Sequence, residues 1–268
     1  MNLLNPPRLD KSAVKKSFNR CAGQYDDSAV LQEEVLSRLL ERLEYIKVEP
    51  ELIVDLGCGT GSAIKPLRQR YKKSKLVALD MADEMLALSK KKFGLFDKKW
   101  LVNADMEHLP LKDACVDLMF SSLALQWSND LEEGFKEFRR VGRPGGLLMF
   151  TTFGVNTLKE LRDSWAQIDS SPHVHQFMDM HDIGDMLLSA GLSQPVMDME
   201  EITMQFSHFR DVLSDLKSIG ATNAEKGRQR GLMTAGKLKR LQQAYEQIAF
   251  DGGQYSATYE IVYGHAWF

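Results

Sequence analysis

Asp55 follows a short aliphatic run, Leu52 to Val54, and precedes three glycines on alternate positions, Gly57, Gly59 and Gly61. A buried strand that ends in a glycine turn, with a helix starting near Ala63 and Ser62 as its cap, brings backbone N–H groups close to a ligand. A dinucleotide fingerprint spaces its glycines G-x-G-x-x-G and seats a pyrophosphate on the helix start. Here Ser62 stands where that third glycine would be, and Asp55 would repel a pyrophosphate. The same carboxylate suits a ligand that carries an ammonium group. A purely structural turn after a core strand is the alternative.

Two more acids occupy similar places. Leu76 to Leu79 is a second apolar run and ends in Asp80. An acid about twenty positions past the glycines is where an α/β nucleotide site places the carboxylate that binds ribose hydroxyls. The alternative is an ordinary acid at a helix start, since a helix follows at once. Asp83 can take that capping role, which leaves Asp80 free for a sugar. Asp105 follows a third strand-like run, Trp100 to Asn103.

These acids need a sheet to hold them in register. From 52 to 152 strands and helices alternate, which predicts a parallel sheet. The pattern places helices at 63–71, 131–140 and 235–248, strands at 116–120, 147–151, 195–206 and 258–267, and a helix at 157–165 capped by Asn156. Ahead of the sheet, Val14, Phe18 and Cys21 share one helical face, and a longer helix runs over about 29–46. The organisation expected is 1–50 as N-terminal lid helices, 51–153 as the ligand-binding half of the sheet, and 154–268 as a helical cap with strands completing the same domain.

Composition excludes other classes. The chain has 268 residues, 44% of them hydrophobic, and a net charge of −3, so no global field favours nucleic acid. Three separated cysteines, Cys21, Cys58 and Cys115, lack metal spacing and fit a reducing compartment. No apolar run reaches the roughly twenty residues of a membrane span, and the first residues lack the apolar core of a secretory leader. A cytoplasmic protein without a membrane partner is expected. His173, His175 and His181 with Asp169 and Asp179 are read as loop residues and not as a metal site. The cluster around Arg228, Arg230, Lys237 and Arg240 is either an anion-binding surface or a solvated loop.

The D-x-G-x-G-x-G signature, Asp80 and Asp105 resemble the motifs of class I methyltransferases, a Rossmann-like α/β fold with a mostly parallel seven-stranded sheet. Stretches along the whole chain are similar to the malonyl-[acyl-carrier protein] O-methyltransferases of biotin synthesis. They include Lys11-Ser12-Ala13-Val14 with Ser17-Phe18 and Tyr25-Asp26, then Leu123 to Trp127 and Thr157-Leu158 with Glu160 to Arg162. His173-Val174-His175, Gly231 to Thr234 and Thr258 to Ala266 continue the similarity.

The resemblance implies S-adenosylmethionine as cofactor. Asp55, Gly57, Gly59, Gly61, Asp80, Met81, Asp105, Met106, Ser121 and Gln126 would hold it. Tyr25 from the lid, Trp127 and Arg162 would form the transfer site, with Arg162 as the cation for a malonyl carboxylate. Tyr25 can equally pack under the long helix, and Trp127 can be a hydrophobic plug. His175, Arg228, Arg230, Lys237 and Arg240 would contact the acyl substrate or its acidic carrier protein. A methyltransferase for another small acceptor and a non-catalytic cofactor-binding scaffold remain the alternatives.

Overall fold

A computed structural model describes residues 8–94, 97–220, 224 and 233–268. Two N-terminal helices, α1 (Lys11–Ser28) and α2 (Val30–Glu44), precede the sheet. The core strands are β1 (Leu52–Leu56), β2 (Lys75–Asp80), β3 (Trp100–Asn103), β4 (Val116–Ser121) and β5 (Gly142–Phe153). Between them run α3 (Ile64–Arg70), α4 (Asp83–Lys92), a 3₁₀ turn (Leu125–Trp127) and α5 (Leu131–Val141). Beyond β5 come α6 (Lys159–Ala166), α7 (Met180–Ser189), β6 (Ser193–Phe206), α8 (Phe209–Ser218), α9 (Ala235–Ala249), β7 (Phe250–Asp251) and β8 (Gln254–Trp267).

The sheet order is β3-β2-β1-β4-β5-β8-β6, with the two-residue β7 pairing β8. Pairings among β1 to β5 are parallel, and β8 runs antiparallel to both β5 and β6. β1, β2, β4 and the second half of β5 are buried almost without a break. That is the pattern of parallel strands covered on both faces. The order reverses between β1 and β4, so a crevice opens beyond the carboxyl ends of these two strands. The glycine turn and the loop after β4 lie at that point.

Local details differ from the sequence reading. α1 continues through Tyr25 to Ser28 as one helix, its first turn capped by the Asp10 carboxylate, which accepts from Ala13 N at 3.1 Å. Ser62 caps nothing; α3 starts after Ala63 with no side-chain cap, because the turn's own backbone supplies the bonds Gly61 N to Cys58 O and Ile64 N to Gly61 O. Asn156 is not a cap either. Its amide donates to Glu260 Oε2 at 2.6 Å, and α6 starts after Leu158, which sits in the left-handed region at φ 55°. The long-range bond to β8 outcompetes the local one.

Candidate active site

The glycine turn is tied to β2. Cys58 N donates to Leu79 O at 3.0 Å, and Gly59 N donates to Asp80 Oδ2 at 2.9 Å. Asp80 Oδ1 accepts from Ala82 N at 2.8 Å. Asp80 is therefore not free: it fastens the turn to the start of α4, and it has that task because Asp83 pairs with Lys15 of α1 instead of capping. Each carboxylate oxygen accepts more than one bond, so Asp80 still offers lone pairs to the crevice it lines. Burial pushes its carboxyl up, and the backbone donors at Ala82, Gly59 and Met81 oppose that.

Asp55 lies deeper, 2% exposed. Its Oδ2 is shut off from solvent and has no hydrogen-bond partner among the described residues. Burial, with Asp80 nearby, pushes its carboxyl up to about 7. A buried carboxylate with a spare lone pair suits a cationic donor.

Gly57, Gly59, Asp80, Met81, Asp105 and Met106 line one cavity, together with Tyr25, Gln126 and Trp127. Asp105 also receives Lys11 of α1, 3.0 Å from each carboxylate oxygen, and Lys11 reaches Glu107 at 3.1 Å. Nothing in the local sequence marks Lys11 for this, since its partner is 94 positions away. Phe18, Gln32, Ser122 and Phe153 are further lining residues that the sequence reading missed. The Phe18 ring meets Trp127 edge-on at 5.3 Å, so α1 closes over one side of the crevice. Burial raises the Tyr25 phenol, which stays neutral at physiological pH.

Two sequence-derived residues face elsewhere. Ser121 is fully buried and donates to Leu56 O at 2.9 Å, bracing the ends of β4 and β1. Gly61, at φ 88°, does not line the crevice. A Cβ there would stand 2.6 Å from Ile64 Cδ1 and 2.9 Å from Ser89 Cβ, so this glycine lets α3 and α4 approach.

A second cavity of about 500 Å³ adjoins the first, sharing Gln126 and Phe153. Gln126 is held by its Nε2, which donates to Leu123 O at 2.7 Å. His175 lines this cavity, stacked on Trp127 at 6.2 Å and edge-on to Phe177 at 5.4 Å. Its rim carries Asp130, Glu132, Asp182 and Asp185. Among the described residues no group of three or more His, Cys, Asp or Glu side chains could hold a metal, and no helix is long and apolar enough to cross a membrane.

Residues 54–150 match the methyltransferase domain family. A malonyl-[acyl-carrier protein] O-methyltransferase from Methylovorus sp. (strain MP688) is 47% identical over 266 residues, covering 97% of this chain and 89% of that protein. One from Gallionella capsiferriformans (strain ES-2) is 47% identical over 265 residues, covering 97% and 91%. The chain belongs to the malonyl-[acyl-carrier protein] O-methyltransferase family. Its fold matches a solved SAM-dependent methyltransferase from Thermotoga maritima with a TM-score of 0.56, 15% identity and coverage of 95% and 99%.

In this methyltransferase Arg162 turns both Nη groups to backbone carbonyls, while its buried Nε has no hydrogen-bond partner among the described residues. Its Nη1 donates to Val155 O at 2.9 Å, and Nη2 donates to Val155 O at 2.9 Å and Thr157 O at 2.7 Å. It lines neither cavity. The guanidinium satisfies carbonyls of the irregular turn between β5 and α6. Arg162→Met should therefore lower the melting temperature by several degrees, since buried carbonyls lose charged donors, and leave cofactor affinity within about twofold. Thermal melting and calorimetry read the two effects. An unshifted melt with a large loss of acceptor affinity would restore the substrate role.

Lys237 is also committed. It pairs with Asp169 Oδ2 at 2.8 Å and lies 5.1 Å above the Trp165 ring. His173 completes the cluster, 2.7 Å from Asp169 Oδ1 and stacked on Trp165 at 3.6 Å. Lys237, with Ser171 N and His173, holds the Asp169 carboxyl far below the usual range. The cluster pins α9 to α6. Arg240 is exposed on α9. Arg228 and Arg230 lie outside the described residues.

Proposed function

We propose that the protein transfers the methyl group of S-adenosylmethionine to the free carboxylate of malonyl-[acyl-carrier protein], giving the methyl ester early in biotin synthesis. The observation that carries this reading is the junction at Gln126, Trp127 and His175. There the crevice built on Asp55, Asp80 and the glycine turn meets a cavity large enough for an acyl thioester. The residues suit the cofactor on their own chemistry. Asp55 offers an orphaned buried acceptor for its ammonium group, Gly59 leaves open space for its close approach, and Asp80 and Asp105 remain for ribose and adenine.

When bound, the cofactor supplies an electrophilic methyl group on a sulfonium. A carboxylate is already nucleophilic at neutral pH, so no residue needs to act as a base. Tyr25, Phe18 and Trp127 exclude water. His175 is the side chain we assign to orient the malonyl carboxylate, in place of Arg162, so that positioning and desolvation carry the rate. The acidic rim of the second cavity disfavours an acidic carrier there. We assign carrier contact instead to the basic residues Arg228, Arg230 and Arg240, of which Arg240 is exposed on α9.

The test uses methyl-labelled S-adenosylmethionine and malonyl-carrier protein. Base-labile label is expected on the carrier and none on free malonate. Label on free malonate would make the acceptor a soluble acid. His175→Ala should raise KM for the malonyl carrier at least about tenfold, the loss of one charge-assisted hydrogen bond, with S-adenosylhomocysteine affinity retained. Unchanged kinetics would remove His175 from the acceptor site.

A further inference from the structure

α2 reads as a plain core helix: Val35, Leu39 and Leu43 are fully buried beneath the sheet. Gln32 lies on its first turn and points the other way. The residue lines the crevice and also a small adjoining cavity shared with Asp55, Gly57 and Tyr25. Gln32 Oε1 is shut off from solvent and, among the described residues, has no hydrogen-bond partner, and the same holds for Asp55 Oδ2. Burying an acceptor without a donor is unfavourable. Two such acceptors from different elements around one cavity point to a ligand group with several donors.

We propose that the Gln32 carboxamide, with Asp55, binds the α-ammonium group of the cofactor's amino-acid end, a role that rests on the cofactor reading above. An ammonium group has three N–H donors, enough to serve both acceptors at once. A neutral acceptor is the better second partner here. Asp55 is already hard to ionise beside Asp80, and a further carboxylate would add like-charge repulsion before the ligand arrives. The carboxamide adds a hydrogen bond without that repulsion. It also ties the ligand to a helix fixed in the core, where α1 contributes a lid.

The structure of the ligand allows a clean test. S-Adenosylhomocysteine carries the amino-acid end; 5′-methylthioadenosine keeps the adenosine and the sulfur but lacks it. Calorimetry with both ligands is run on the wild type, Gln32→Leu and Gln32→Glu. Gln32→Leu should weaken S-adenosylhomocysteine roughly tenfold or more and leave methylthioadenosine within about twofold. Gln32→Glu keeps an acceptor and should bind S-adenosylhomocysteine more tightly than Gln32→Leu at pH 8, which separates the hydrogen bond from a folding defect. Parallel losses for both ligands would make Gln32 a packing residue and overturn the proposal. Unchanged S-adenosylhomocysteine binding in Gln32→Leu would overturn it alone. A wild type that binds no S-adenosylhomocysteine would overturn the cofactor reading together with it.

Discussion

Between pH 8 and pH 6 the affinity for S-adenosylhomocysteine is expected to fall about tenfold. The cause is Asp55, whose carboxyl burial and Asp80 push up to about 7 in the ligand-free protein. An ammonium ligand binds the ionised carboxylate. Below pH 7 that state must first be created by releasing a proton, and the affinity drops in proportion. Asp80 is raised as well and works in the same direction. The nearby Cys58 thiol and Tyr25 phenol are raised, so both stay neutral throughout this window. Asp55→Asn should bind weakly at pH 8 and lose most of the pH dependence. Calorimetry across pH 6 to 8 decides; a flat wild-type profile would mean that the carboxylate is ionised throughout.

The same shift acts on stability with the opposite benefit. The folded carboxyl titrates about 7, above its ordinary 3.8, so the unfolded chain releases this proton first as pH rises. The ligand-free protein therefore loses stability from about pH 4 up to about pH 7, by an amount on the order of a few kcal/mol. Asp55→Asn removes that penalty. Without ligand at pH 8 the variant should melt several degrees above the wild type, and the advantage should vanish near pH 4. With saturating S-adenosylhomocysteine at pH 8 the order should reverse, because only the wild type gains full binding energy. A site held ready for a cation thus destabilises the empty fold.

What was legible in the chain is what sits close together along it. A strand end, its acid and a glycine turn lie within ten residues, from Leu52 to Gly61, and the register of the parallel strands, which pairs Asp55 with Ala78, then sets Asp80 two residues further on at the end of β2. What the chain does not show is decided by distant partners. Arg162 has the charge for a carboxylate, but the αL residue Leu158 turns the backbone so that carbonyls of 155 and 157 face it. Lys237 meets Asp169 across 68 positions, and Lys11 meets Asp105 across 94. Ser121 lies at the crevice end of β4, yet its hydroxyl turns sideways to Leu56. Helical periodicity gave a helix over about 29–46, expected among the lid helices; α2 buries Val35, Leu39 and Leu43, and the periodicity says nothing of Gln32 at the first turn, where the helix passes the crevice.

Two alanine substitutions in the glycine turn, two residues apart, should fail in different ways. Gly57 sits at φ 67°, and a Cβ there would stand 2.3 Å from Ala124 Cβ in the loop after β4. Neither loop can yield without parting the strand ends, so Gly57→Ala should be destabilised by several kcal/mol and accumulate poorly. Gly59 is also left-handed, at φ 53°, but a Cβ there meets nothing within 4 Å. The backbone strain of alanine is about 1 kcal/mol, and the Gly59 N–H to Asp80 is kept. Gly59→Ala should therefore fold with a melting temperature only a few degrees below the wild type. Its methyl group would project from the wall of the crevice into space the ligand needs, where glycine permits close approach. Affinity for S-adenosylhomocysteine should fall on the order of a hundredfold, and activity with it. Melting and calorimetry on the same preparation separate the two faults. Normal ligand binding by Gly59→Ala would show that the ligand does not pass over this turn, and the turn would then serve only to pack β1 against β4.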